Sequence, residues 1–108
     1  MSAPRSAEPV LRIALLGAGT VGTEVARLLV ANSEDFEARV GARLELVGVA
    51  VRDVAKARAG IAADLLTTDA DGLLDQDIDL VIEVMGGIEP ARTLILKALN
   101  NGASVVTA

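Results

Sequence analysis

Apolar residues fall in short dense runs along this chain, and the runs alternate between strand-like and helix-like spacing. Leu11-Arg12-Ile13-Ala14-Leu15-Leu16 is almost continuously apolar, which suits a strand covered by helices on both faces. Gly17-Ala18-Gly19 then turns the chain. Thr20 to Ala31 follows with helical spacing, Val21, Val25, Leu28 and Leu29 forming one apolar face. Asn32 to Ala42 is polar and charged and reads as an exposed connection. Arg43 to Val51 is the second strand, alternating at first and then wholly apolar.

Arg52 to Ala63 is mixed and reads as a loop with room for one helical turn. Leu65-Leu66-Thr67 is a short third strand. Thr68 or Asp69 caps a short helix running through Leu73 and Leu74, with acidic Asp69 and Asp71 near its positive end. Ile78 to Met85 is the fourth strand, closed by Gly86-Gly87. Pro90 suits the first turn of the next helix, where its missing N–H is harmless. The apolar face of that helix is Ala91, Leu94, Ile95, Ala98 and Leu99, and Asn101-Gly102 is its left-handed stop. Ser104-Val105-Val106-Thr107 is a fifth strand. Strands of buried type alternating with helices predict an α/β fold, a three-layer Rossmann-type doubly wound parallel sheet. Met1 to Pro9 is rich in Ser, Ala and Pro and is expected to be a disordered arm, leaving residues 10–108 as one domain.

Composition narrows the chemistry. Hydrophobic residues are 52% of the 108 but aromatics only 1%, the single Phe36, so the core must be aliphatic. The chain has no cysteine and no histidine, which removes thiolate catalysis, the commonest general base and the commonest metal ligands. No metal site is expected. A net charge of −5 argues against a nucleic-acid or anionic-membrane surface. The longest apolar run, Ile13 to Gly22, is far below the about 20 residues of a membrane span. Glu8 and Pro9 before it, and no small-residue cleavage site before Glu24, argue against a signal peptide. A cysteine-free chain without a signal reads as cytoplasmic.

Gly17-Ala18-Gly19-Thr20-Val21-Gly22 is a GxGxxG between a strand and a helix, the context in which that pattern is informative. Gly17 permits the tight turn, Gly19 lets a pyrophosphate approach the backbone, and Gly22 lets helix and strand pack closely. Free amides at the helix start then face the anion. A plain strand-to-helix turn with small packing residues is the bland reading. A phosphate-binding loop of the Gly-Lys-Ser/Thr type is excluded, because Val21-Gly22-Thr23 has no lysine.

The residue after strand two separates the two dinucleotides. An acid there holds the adenosine ribose of NAD, and an arginine suits the 2′-phosphate of NADP. That position usually falls about 20 residues past the glycines; the Asn32 to Ala42 connection accounts for its lying further here. Strand two ends at Ala50-Val51, Arg52 follows, and Lys56 and Arg58 stand close behind. The planar fork of Arg52 can grip a phosphate through paired hydrogen bonds, favouring NADP over NAD. Asp53 is the competitor, one residue of register away, and solvated loop charge is the plain alternative. Gly86-Gly87, at the end of strand four, reads equally as an approach for a flat nicotinamide or as an ordinary turn. Glu83 is an unusual carboxylate within an apolar strand; no catalytic role is assigned to it.

Together, Ile13 to Gly22, Val49-Ala50-Val51-Arg52-Asp53, Glu83-Val84-Met85-Gly86-Gly87-Ile88-Glu89-Pro90-Ala91 and Val105-Val106-Thr107-Ala108 resemble homoserine dehydrogenase, over about Arg12 to Ala108. The resemblance implies reduction of aspartate semialdehyde to homoserine with NAD(P)H, in threonine and methionine biosynthesis. It implies that Thr20 and Val21 give backbone contacts to the pyrophosphate and that Arg52 lies by the adenosine 2′-phosphate; Val51 and Lys56, on either side of Arg52, are counted with it as cofactor-binding residues. It sets Gly86, Gly87 and Thr107 near the nicotinamide.

In that family Thr-Ala is followed by Asn-Lys, the lysine being catalytic. This sequence ends at Ala108. The resemblance therefore implies a cofactor-binding half without catalytic residues, substrate binding only in the full-length enzyme, and a homo-oligomeric parent. A second amino-acid dehydrogenase, such as aspartate dehydrogenase, and a stand-alone NADP-binding regulatory module are the alternatives. Strand five, ending in Val105-Val106, is expected to leave an apolar edge through which the chain self-associates.

Overall fold

The computed structural model describes residues 9–55, 61–85 and 89–107. Five strands, β1 (Val10–Leu16), β2 (Arg43–Ala50), β3 (Leu66–Thr67), β4 (Leu80–Glu83) and β5 (Ser104–Thr107), form one sheet in the order β3-β2-β1-β4-β5. Every pair is parallel. The helices are α1 (Thr20–Ala31), α2 (Ser33–Val40), α3 (Ala70–Leu74) and α4 (Ala91–Asn100), with a 3-10 turn at Ala63–Leu65. This is the expected three-layer Rossmann-type arrangement. Among the described residues, no helix is long and apolar enough to cross a membrane.

The central strand β1 explains its own composition. Leu15 faces α1 and packs with Ala26 and Val49. Ala14 and Leu16 face α3 and α4, meeting Leu73, Leu74, Leu94 and Ala98. With both faces covered, Ala14, Leu15 and Leu16 are fully buried. Burying a leucine side chain stabilises by about 1.5–3 kcal/mol. Small residues at Ala26, Ala91 and Ala98 bring α1 and α4 close onto the sheet.

The ladder between β1 and β2 is irregular at one point. Ile13 pairs with Leu46 but Ala14 pairs with Gly48, so Val47 is an extra residue in β2. Leu46 and Val49 consequently pack on the α1 side while Val47 and Ala50 pack on the other. Pairing continues beyond the strand ends: Arg43 N–H donates to Pro9 O, and Val51 N–H to Thr67 O. Of the expected arm, residues 1–8 lie outside the described residues.

Several elements differ from expectation. Most of Asn32 to Ala42 is the helix α2, not an open connection. No residue of α2 is buried; it holds by an Arg39–Asp35 ion pair at 3.4 Å, acidic Glu34 and Asp35 in its first turn and a left-handed Gly41 after its end. The buried side of α1 is Gly22, Val25, Ala26 and Leu29; Val21 and Leu28, expected in the core, are 57% and 46% exposed. The stripe is rotated because Gly22 sits against the sheet end. Leu99 of α4 is likewise exposed. The ladder of β4 is shorter than Ile78 to Met85, and Leu65 belongs to the 3-10 turn rather than to β3.

At the start of α3, Asp69 is the cap: its carboxylate accepts from Gly72 N–H at 2.9 Å. Pro90 immediately precedes α4, and Glu89 Oε1 accepts from Thr93 N–H at 3.1 Å.

Candidate cofactor-binding site

The glycine loop joins the end of β1 to the start of α1. Gly17 has φ +101°, a conformation that L side chains rarely adopt, and a Cβ there would stand 3.2 Å from the backbone of Met85. A Cβ on Gly22 would run into the carbonyl of Gly17 and come within 3.0 Å of a Val84 methyl. These two glycines are therefore required by the packing of the loop against β4. Gly19 is different. Its φ is −74°, ordinary for any residue, and a Cβ there would meet nothing within 4 Å. Neither conformation nor packing demands glycine, so what its missing side chain provides is open space above the backbone, a cradle that a Cβ would fill.

Thr23 buttresses the loop, its hydroxyl donating to Ala18 O at 3.0 Å while its N–H makes the first helical bond, to Gly19 O at 2.9 Å. The amides of Thr20, Val21 and Gly22 precede that bond and are left for other acceptors. The first turn of α1 contains no acidic residue and α1 has no side-chain cap. An anion is the chemical complement of such a helix start.

A cleft of about 950 Å³ opens at the carboxyl ends of the strands, where ligands of doubly wound sheets bind. One wall is Gly17 to Gly19, a second runs from Ala50 to Asp53, a third is Thr68 to Asp71 at the start of α3, and Met85 and Pro90 border the far side. Gly17 N–H donates to Ala50 O at 2.8 Å and Val84 N–H to Leu16 O at 2.9 Å, joining the first, second and last of these walls. A smaller hollow of about 410 Å³ lies at the opposite end of the sheet, lined by Asp75, Asp77 and Asp79 with no basic residue in its lining.

The expected residues fall into three groups. Gly17, Gly19, Val51 and Arg52 line the cleft, and Thr20, Val21 and Gly22 form the first turn of α1 beside it. Arg52 is exposed, and among the described residues no carboxylate pairs with it. Its competitor Asp53 also lines the cleft and accepts from Ala55 N–H at 2.9 Å. Thr107, at the carboxyl end of β5, pairs with Glu83 in the ladder and stands apart from the cleft lining. Lys56, Gly86 and Gly87 lie outside the described residues.

Glu83 is 5% exposed, and its Oε2 accepts from Met85 N–H at 2.7 Å. The carboxylate thus secures the backbone that borders Gly17. Sequence reasoning missed the wall from Thr68 to Asp71. The signal was available: those residues follow β3, and every strand of this sheet delivers its next loop to the same end.

Comparison with known proteins agrees with this geometry. The family described as "Homoserine dehydrogenase, NAD binding domain" matches residues 17–108. Homoserine dehydrogenase of Corynebacterium glutamicum is 53% identical over 97 residues, 89% of this chain and 22% of that protein. That of Mycobacterium bovis is 49% identical over 106 residues, 97% of this chain and 24% of that protein. The crystal structure of Staphylococcus aureus homoserine dehydrogenase at pH 6.0 superposes with a TM-score of 0.84 at 38% identity, covering 93% of this chain and 26% of that one. The Thiobacillus denitrificans enzyme gives 0.83 at 41% identity, covering 93% and 23%. The chain thus spans about a quarter of the length of the curated relatives it matches. A nicotinamide-nucleotide fold, a glycine loop built for close approach and these matches agree: the chain belongs to the homoserine dehydrogenase family, as its NAD-binding domain.

Proposed function

We propose that this domain binds NADP(H), in preference to NAD(H), for an enzyme that interconverts L-aspartate 4-semialdehyde and L-homoserine in threonine and methionine biosynthesis. The amides of Thr20 and Val21 hold the pyrophosphate over Gly19. Arg52 meets the adenosine 2′-phosphate, and Val51 and Lys56 serve the same end of the cofactor. Gly86, Gly87 and Thr107 are assigned to the nicotinamide end of the cofactor. The cofactor, when bound, supplies or accepts the hydride; these residues bind and orient it. The chain lacks His and Cys, and its only lysines are Lys56 and Lys97, neither of which we assign to catalysis. Cysteine-free composition fits a cytoplasmic enzyme, and we propose a homo-oligomeric parent.

One observation carries the preference for NADP(H): Arg52 directly follows the last sheet-bonded residue of β2, on the cleft, with no carboxylate paired to it among the described residues. Calorimetric titration of the chain with NADPH and NADH tests it. NADPH is expected to bind tighter. Equal affinities, or NADH tighter, would transfer the adenosine end to Asp53 and NAD.

A further inference from the structure

Among the described residues, the lining of the cleft carries more acids than bases. Its described charged lining is Arg52 against Asp53, Asp69 and Asp71. Asp69 accepts the backbone N–H of Gly72, which orients the carboxylate but does not cancel its charge. Asp71 is paired with a cation from another helix, which it shares with Asp75. Lys97 of α4 reaches across to α3, its Nζ 3.1 Å from Asp71 Oδ1, 3.2 Å from Asp71 O and 3.1 Å from Asp75 Oδ1.

We infer that Lys97 is a charge-balancing residue of the cofactor cleft: it offsets the charge of Asp71 in the wall formed by the start of α3, and so eases the entry of a phosphate-bearing dinucleotide. It touches no cofactor itself and acts through Asp71. The inference rests on the NADP(H) reading above and adds a determinant outside the cleft lining. NADPH carries more negative charge than NADH, so an unbalanced Asp71 repels it more. The repulsion runs partly through solvent and must fade as salt shortens the screening length from about 30 Å at 0.01 M to about 3 Å at 1 M.

Binding of NADPH and NADH to the 108-residue chain, measured by calorimetry at low and high salt, tests this. Lys97→Met is expected to weaken NADPH binding roughly three- to tenfold at low salt, NADH binding less, and both effects shrink at high salt. Lys97→Arg should restore affinity. So should adding Asp71→Asn to Lys97→Met, because it removes the uncovered charge without rebuilding the link between α3 and α4. A purely structural Lys97 would weaken both cofactors equally at any salt, with no rescue by Asp71→Asn, and that result overturns the inference. Asp71→Asn alone keeps Lys97 and covers the case in which Lys97→Met does not fold. It should bind NADPH at least as tightly as the unchanged chain, and weaker binding overturns the inference. If the unchanged chain shows no preference for NADPH, the NADP(H) reading fails instead.

Discussion

Gly17 and Ala50 are joined by a backbone hydrogen bond of 2.8 Å from the glycine's amide to the alanine's carbonyl. That bond fixes the pyrophosphate loop to the end of β2 two residues before Arg52. The two parts of the proposed site that differ most in chemistry, an amide cradle and a guanidinium, are thereby linked through main chain.

Replacing the guanidinium should therefore change affinity without disturbing the cradle. A hydrogen bond to a charged group contributes about 1.5–3 kcal/mol net, and about 1.4 kcal/mol is tenfold in affinity. Arg52→Ala is expected to weaken NADPH binding roughly ten- to a hundredfold, to leave NADH binding nearly unchanged, and to leave the melting temperature unchanged. Titrations of both cofactors check it.

The glycines of the loop should separate into two kinds. Gly22→Ala forces a methyl against the Gly17 carbonyl and should destabilise the fold by about 1–3 kcal/mol, as overpacking does. Gly19→Val meets open space and an ordinary φ. It should keep stability within about 0.5 kcal/mol and still lose cofactor binding tenfold or more. Thermal melts beside titrations distinguish them; loss of stability in Gly19→Val would mean that its glycine serves the fold.

Lys97 gives a pH signature. Hydrogen bonds from its ammonium to Asp75 and then Asp71 raise its pKa above the ordinary 10.5. A cation whose pKa is higher in the folded state stabilises fully below the unfolded value and loses that contribution as pH rises through the folded value. The melting temperature should thus fall more steeply above about pH 10.5 in the unchanged chain than in Lys97→Met. Parallel melting curves for the two would show that the pair adds nothing.

The outer edge of the sheet is the expected site of self-association. β5 has β4 on one side only, and Val106 is 53% exposed there. Unpaired edges and apolar surface recruit partners. Light scattering should show assembly rising with concentration, and Val106→Lys should suppress it. A monodisperse monomer at high concentration would contradict this.

Homoserine and NADP⁺ together should give no turnover with these 108 residues. Hydride transfer needs a held substrate and a proton carrier, and Lys97, the one lysine among the described residues, is held by two aspartates at a distance from the glycine loop. Steady NADPH formation by purified chain would return the catalytic groups to this domain.

Much of this architecture was legible because its signals are local. Three glycines between an apolar strand and a helix define the loop, Asp69 the cap of α3, and Arg52 the end of β2. The misreadings came where tertiary packing decides. Val21 and Leu28 match the helical period, but Gly22 is the residue that touches the sheet, and it rotates the whole stripe. α2 buries nothing, so hydrophobic period could not reveal it; its signals were the acidic first turn, the Asp35–Arg39 spacing and Gly41. The tie between Asp71 and Lys97 required the topology, since no sequence pattern brings positions 71 and 97 together.

The extra Val47 in β2 makes the strand tolerant to loss on one side and intolerant on the other. Deleting Val47 would only straighten the ladder: Leu46 would still oppose Ile13, Gly48 would still oppose Ala14, and Arg52 would keep its station. Deleting one residue between Gly48 and Val51 has no such slack to draw on. It would pull Arg52 back by about one strand step of 3.3 Å and bring Asp53 into its position, turning a phosphate-seeking rim into a hydroxyl-seeking one. On the proposed reading, dinucleotide choice in this domain depends on a count of residues as much as on their kind.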